Sequence, residues 1–323
     1  MKLLHPAARL RLAITLAGAV AFNAFAAAQS GQEVIRGNDE FEFVYRAKLP
    51  RTNELGQLWL PLAKTSAWQT VTVDRISSPV EGRTVRDRDH GNDILVLPVG
   101  PGDAGKTIEI TYRVTRSEKA PYASHEAEAA RYLKPERLVP ATETFKTLAA
   151  ALTRGKQTGI ERGRALYDHV ASRMKYDKSG AGWGRGDAVY ACDARAGNCT
   201  DFHAYFIALA RAAGIPARFA IGVTIPADKD EGAIAGYHCW AEFFADGVWV
   251  PVDISEAAKN PALAQYYFGH HPANRFELSV GRDLVVEPAP ASGPINFLIY
   301  PLFEAGGKVV KTETEFAFRR VRK

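Results

Sequence analysis

The stretch GYHCWAEFFADGVWVPVD, residues 236–253, decides how this chain folds around its chemistry. Two runs of alternating aromatic, branched and polar residues flank Asp246-Gly247, a strong signal for a two-residue hairpin turn. Such a turn pairs Ala245 with Val248, and the register then sets Trp240 opposite Asp253. His238 lies two residues from Trp240 and shares its sheet face. Asp253 is therefore diagonal to His238, about 7–8 Å away between backbones, a gap that an imidazole and a carboxylate can close. The hairpin predicts a His–Asp pair. Taken singly, each residue also has a plainer reading: His238 as a satisfied half-buried histidine, Asp253 as a strand end or as the N-cap before ISEA.

Upstream, NCTDFHAYFIALARAAGIPARFAIGV (198–223) reads as a helix followed by a strand. Phe202, Phe206, Leu209 and Ala213 form one helical face, with Asn198 as N-cap and Gly214 as the stop. Cys199 then sits where unpaired N–H groups and the positive end of the helix dipole favour a thiolate. A buried inert cysteine is the alternative, weakened by Gly197-Asn198, which allows close approach. Asp201 in the first turn suits the dipole, yet as a negative neighbour it could raise the thiol pKa. His203, one turn after Cys199, is a local rival base and reads as a structural or cleft-wall histidine.

Cys199 and His203 could also ligate zinc, completed by His238, Cys239 or Cys192. Strand alternation opposes His238 and Cys239 pointing the same way, and no C-x-x-C pair occurs. No metal or cofactor is expected. The Gly-rich DKSGAGWGRGD (177–187) lacks the phosphate-loop pattern, and no EF-hand pattern is present.

Nucleophilic acyl transfer needs a thiolate, a histidine that moves protons and an acid that orients it. The spacings show that each half is suitably built, not that the halves meet. Together, GNCTDFHAYFIALARAAGIPAR and GYHCWAEFFADGVWVPVD resemble the core of the transglutaminase-like superfamily of papain-related cysteine enzymes, over about residues 130–290. The resemblance implies Cys199 as nucleophile, His238 as base and Asp253 as orienting acid. It implies a papain-like fold with the helix end packed on the sheet, and thioester chemistry on an amide as transferase, peptidase or amidase. An oxyanion hole would use the Cys199 N–H and a second donor, for which Trp183 or Tyr176 is a candidate by analogy with members using an aromatic donor. Trp240 reads as a cleft wall or a core aromatic. A non-catalytic peptide-binding or cell-wall-binding module is the rival class.

The rest of the chain frames this core as α+β. EFEFVYRAKL, GQLWLPLA, QTVTVDRIS, DILVLPV and KTIEITYRVTR are short alternating runs divided by turn-rich pieces. They predict a small β-sandwich over 29–118 as an accessory domain. The core follows over 119–290, with 291–323 as strands completing its sheet. Residues 1–28 carry three basic and no acidic residues ahead of an apolar run ending in A-x-A sites. They read as a secretory signal peptide rather than an uncleaved anchor, so the expectation is a periplasmic or secreted protein with no membrane span once the leader is cleaved. Without them the net charge falls from +5 to +2, and the tail FRRVRK alone carries four positive charges. A nucleic-acid partner has little support; exported protein or cell-wall peptide fits better as substrate. In an oxidising compartment the one intramolecular pairing that spares Cys199 is Cys192–Cys239, the alternative being three free thiols.

Overall fold

A computed structural model describes residues 34–321; the expected leader at 1–28 lies outside them. Alternating apolar residues turn the N-terminal segment into strands buried on one face: Phe41, Phe43, Tyr45 and Ala47 of Asn38–Lys48 point inward. They share one core with Leu58 and Leu60, with Leu95, Leu97 and Val99, and with Ile108, Ile110, Tyr112 and Val114. Each such side chain contributes roughly 1.5–3 kcal/mol by leaving water.

The segment expected as a sandwich supplies strands to two sheets, but its own strands do not complete them. One five-stranded sheet runs Glu231–Ile234, Glu313–Arg320, Asn38–Lys48, Thr107–Ser117, Gln69–Ser77. The other runs Lys308–Val310, Leu302–Ala305, Gly56–Leu62, Asp93–Val99, Arg83–Arg86. The C-terminal strands therefore close the N-terminal sheets, not the core sheet as the sequence suggested. Phe316 explains the choice, with ring centroids 5.7 Å from Phe43 and 5.1 Å from Tyr45. Within the 291–323 segment expected as strands, PINFLIY (294–300) forms none and makes only an isolated bridge between Leu284 and Ile295.

The core sheet is antiparallel: Arg275–Val280, Ala217–Thr224, His238–Ala245, Val248–Val252, Tyr122–Ala123. Its hairpin has the expected register, from Ala245 opposite Val248 to Ala241 opposite Val252. Asp246 and Gly247 have φ of 53° and 82°, the paired positive angles of the preferred two-residue turn. The Asp246 carboxylate also accepts from the N–H groups of Gly159 and Ile160, fastening the turn to the helix Gly159–Arg173.

Against this sheet lies the helix Cys199–Ala212, buried at every residue from Cys199 to Ala210. The sequence shows one apolar face; the structure surrounds the helix with Glu143–Leu152, Gly159–Arg173, Ala188–Ala194 and the sheet. Such a helix belongs to the interior. Among the described residues no helix is long and apolar enough to cross a membrane.

Candidate active site

The helix start is built to hold Cys199. The Asn198 side chain caps the helix by accepting from the Thr200 N–H at 3.0 Å. Asp201 reciprocates, its carboxylate accepting from the Asn198 N–H at 2.9 Å. The same carboxylate takes the Gly184 and Gly186 N–H groups at 2.7 and 3.0 Å, so it pins the loop 177–187 to the helix. Burial nevertheless pushes the Asp201 carboxyl up, against these hydrogen bonds. Gly197 makes this possible: a Cβ there would lie 2.6 Å from the Asp201 Cβ.

His238 opens its strand and Asp253 follows the partner strand, as the hairpin register requires. His238 Nε2 lies 2.7 Å from Asp253 Oδ2. Cys199, His238 and Asp253 are 1, 6 and 0 % exposed, so their interactions run through a poorly screened interior. Burial lowers the His238 pKa, but the Asp253 carboxylate outweighs it and raises the imidazole to about 9. Burial likewise raises the Cys199 thiol, yet the Cys239 and His238 side chains and the imidazolium charge draw it well below the ordinary range. At neutral pH these directions give a thiolate beside an imidazolium.

Asp253 is held from all sides. Oδ2 also accepts from Arg275 Nη2 at 2.9 Å. Oδ1 accepts from the Ser255 hydroxyl and the Glu256 N–H, each at 3.1 Å, which makes Asp253 the N-cap of Ile254–Lys259. The plainer reading of Asp253 and its pairing with His238 both hold. Burial opposes its charge, but His238 and Arg275 keep its carboxyl well below the usual range.

The other expected residues divide. Tyr176 pairs with Gly197 in a short parallel bridge, just before Cys199, and its half-buried ring lies 6.1 Å from Phe202. Trp183 is half-buried one residue before the anchored Gly184. Trp240, expected as a cleft wall or a core aromatic, is the latter: it is fully buried, 6.0 Å from the His238 ring and 5.8 Å from His271.

His203 is interior too. Its Nδ1 lies 2.7 Å from the Cys199 carbonyl, and its Nε2 accepts from the Ile254 N–H at 3.2 Å. With Nδ1 donating and Nε2 accepting, the ring offers no free lone pair to a metal. Cys239, weighed in the sequence as a zinc ligand, lies 3.5 Å from His203 Nδ1, and the neighbouring Cys199 thiolate adds to burial in pushing its thiol up. All three cysteines are free. The Cys192–Cys239 pairing is therefore not formed, and Cys192 interacts with the Tyr205 side chain.

Sequence reading missed three groups. Arg275 opens the apolar run RFELSV and anchors Asp253. Glu256 Oε1 lies 3.8 Å from His238 Nε2 and pairs with Lys259. The Tyr237 hydroxyl accepts from Asn198 Nδ2 at 2.7 Å, and its ring lies 5.7 Å from Tyr300. Its one signal was an aromatic directly before His238. Beyond Tyr300 a groove of about 600 Å³ opens, lined by Gly184, Arg185, Phe297 and neighbouring residues.

Part of this chain is similar to known proteins. Residues 146–254 match the family model of the transglutaminase-like superfamily. An uncharacterized protein of Haemophilus influenzae is 33% identical over 187 residues, covering 47% of this chain and 51% of that one. The uncharacterized protein YebA of Bacillus subtilis is 27% identical over 135 residues, covering 37% of this chain and 18% of that one. The chain thus spans about half the length of the first relative and less of the second. A crystal structure from Cytophaga hutchinsonii, described as a candidate cysteine protease, superposes with a TM-score of 0.62 at 16% identity, over 88% of this chain and 92% of that one. At that identity the likeness is one of fold.

Proposed function

We propose, from a chain whose residues 146–254 are a transglutaminase-like core, that the protein is a cysteine-dependent acyl-transfer enzyme acting on amide bonds. One observation carries the reading: His238 is hydrogen-bonded to a buried Asp253 on one face of a hairpin, while Cys199 occupies the start of the helix packed against it. His238 Nε2 is committed to Asp253, which leaves Nδ1 as the nitrogen for proton exchange.

The Cys199 thiolate attacks the amide carbonyl carbon. The oxyanion that forms meets the Cys199 N–H, which has no partner within the helix. Tyr176 or Trp183 is the candidate second donor, and Tyr176 is the one bridged to the segment before Cys199. The C–N bond breaks as His238 gives its proton to the leaving amine, and a thioester remains on Cys199. Water or a second amine, deprotonated by His238, then attacks the thioester and releases the thiolate. The first acceptor gives hydrolysis, the second transamidation.

The substrate we propose is a peptide bond or glutamine side chain in an exported or cell-wall peptide. Export rests on the leader sequence at 1–28. The test is product analysis on glutamine-containing peptides, with and without a primary amine, using wild type and Cys199→Ala. The reading expects acyl products that vanish in Cys199→Ala; equal activity in the variant would overturn it.

A further inference from the structure

We infer that His203 is a positioning residue, clamping the start of the Cys199 helix to the start of the Asp253 helix so that nucleophile and orienting acid keep a fixed spacing. The inference rests on the proposed role of Cys199 and assigns a part to a histidine that the transfer steps do not use.

The geometry is specific. His203 lies four residues after Cys199, so its side chain rises over the first turn. Nδ1 donates to the Cys199 carbonyl at 2.7 Å. Nε2 accepts from the N–H of Ile254 at 3.2 Å. Ile254 is the first residue of Ile254–Lys259, and its N–H is one of the donors a helix start leaves without a partner. One fully buried ring therefore joins the residue that carries the thiol to the residue after Asp253. Cys239 Sγ, on the strand that carries His238, packs at 3.5 Å from Nδ1. Three separate elements thus meet at one imidazole.

The clamp requires the neutral ring with its proton on Nδ1. A second proton on Nε2 would face the Ile254 N–H and break the link. The groups around the ring are Cys199, Cys239, Asp253, whose Oδ1 is 3.7 Å from Nε2, and His238. Burial lowers the His203 pKa against the pull of Asp253, so the ring stays neutral.

The test reads Cys199 directly and needs no substrate. Full-length wild type, His203→Phe and His203→Asn are alkylated with iodoacetamide across pH, and modification of Cys199 is followed by peptide mapping. Phenylalanine fills the space without hydrogen bonds; asparagine keeps a donor in the place of Nδ1 but lacks the acceptor in the place of Nε2. Expected are a Cys199 rate about 10- to 100-fold lower in His203→Phe, the scale of misplacing a reacting group by about an ångström, and little recovery in His203→Asn, which still lacks the link to Ile254. A residue that only supports the fold would lower the melting temperature but leave the rate and its pH profile unchanged. Equal rates in wild type and His203→Phe, or a wild-type rate in His203→Asn, would overturn the inference. If His203→Phe does not fold, Ile254→Pro replaces it, since proline is tolerated at a first helical position and removes the N–H that Nε2 accepts. The same slowing is expected, and a wild-type rate would overturn the inference. A wild-type Cys199 no more reactive than Cys192 would instead count against its role as nucleophile.

Discussion

At the scale of single residues, the site is a balance between burial and pairing. Cys199, His238, Asp253 and Arg275 are taken out of water, and each is kept charged by its neighbours. The pKa of His238 is raised to about 9, so the alkaline limb of kcat/KM should fall near pH 9. A limb near 6.5, the ordinary histidine value, would mean that Asp253 does not hold the charge. The same shift sets a stability window. A raised folded pKa contributes fully below about pH 6.5, and the contribution is lost as pH rises through about 9. Urea midpoints across that range should fall in wild type and stay flatter in His238→Gln. Arg275 was invisible in the sequence, because an arginine opening a strand reads as a surface residue until its partner is known. Arg275→Met removes a buried partner of Asp253 and should cost about 3–5 kcal/mol, measured by urea unfolding; a loss under about 1 kcal/mol would place little weight on that pair.

At the scale of elements, local chemistry was well written into the sequence. Asp246-Gly247 defined the hairpin, and the hairpin defined the face shared by His238 and Asp253. Asn198 and Asp201 marked a helix start that the structure closes with a capping box. What stayed hidden was the loop that Asp201 holds, since its partners Gly184 and Gly186 are backbone groups 17 and 15 residues away. Asp201→Ala strands the buried N–H groups of Gly186 and Asn198, each worth about 1–3 kcal/mol when unsatisfied, and the half-buried one of Gly184. We expect a stability loss of at least about 2 kcal/mol and faster proteolysis within 177–187. A variant as stable and protease-resistant as wild type would show that the loop is held by something else.

At the scale of the whole molecule, the partners of the last strands were not legible in the sequence, which pointed to the core sheet instead. Alternation in TEFAFRR declares a strand and its inward face, but strand pairing is decided by distant partners. Here Glu313–Arg320 lies between Asn38–Lys48 and Glu231–Ile234, so one C-terminal strand ties the sandwich to the loop before His238. Ending the chain at residue 311 should therefore cost the cooperative unfolding transition, seen by calorimetry, rather than leave an intact core. An unchanged transition would mean that the core stands without that strand.

The central claim is that Cys199 carries the acyl group. Its most direct measurement is the intact mass of the protein quenched during reaction with an activated acyl ester, with the adduct located by peptide mapping. One acyl group per chain is expected, on Cys199, absent from Cys199→Ala and slow to form in His238→Gln. An adduct on Cys192 or Cys239, or equal acylation of Cys199→Ala, would contradict it.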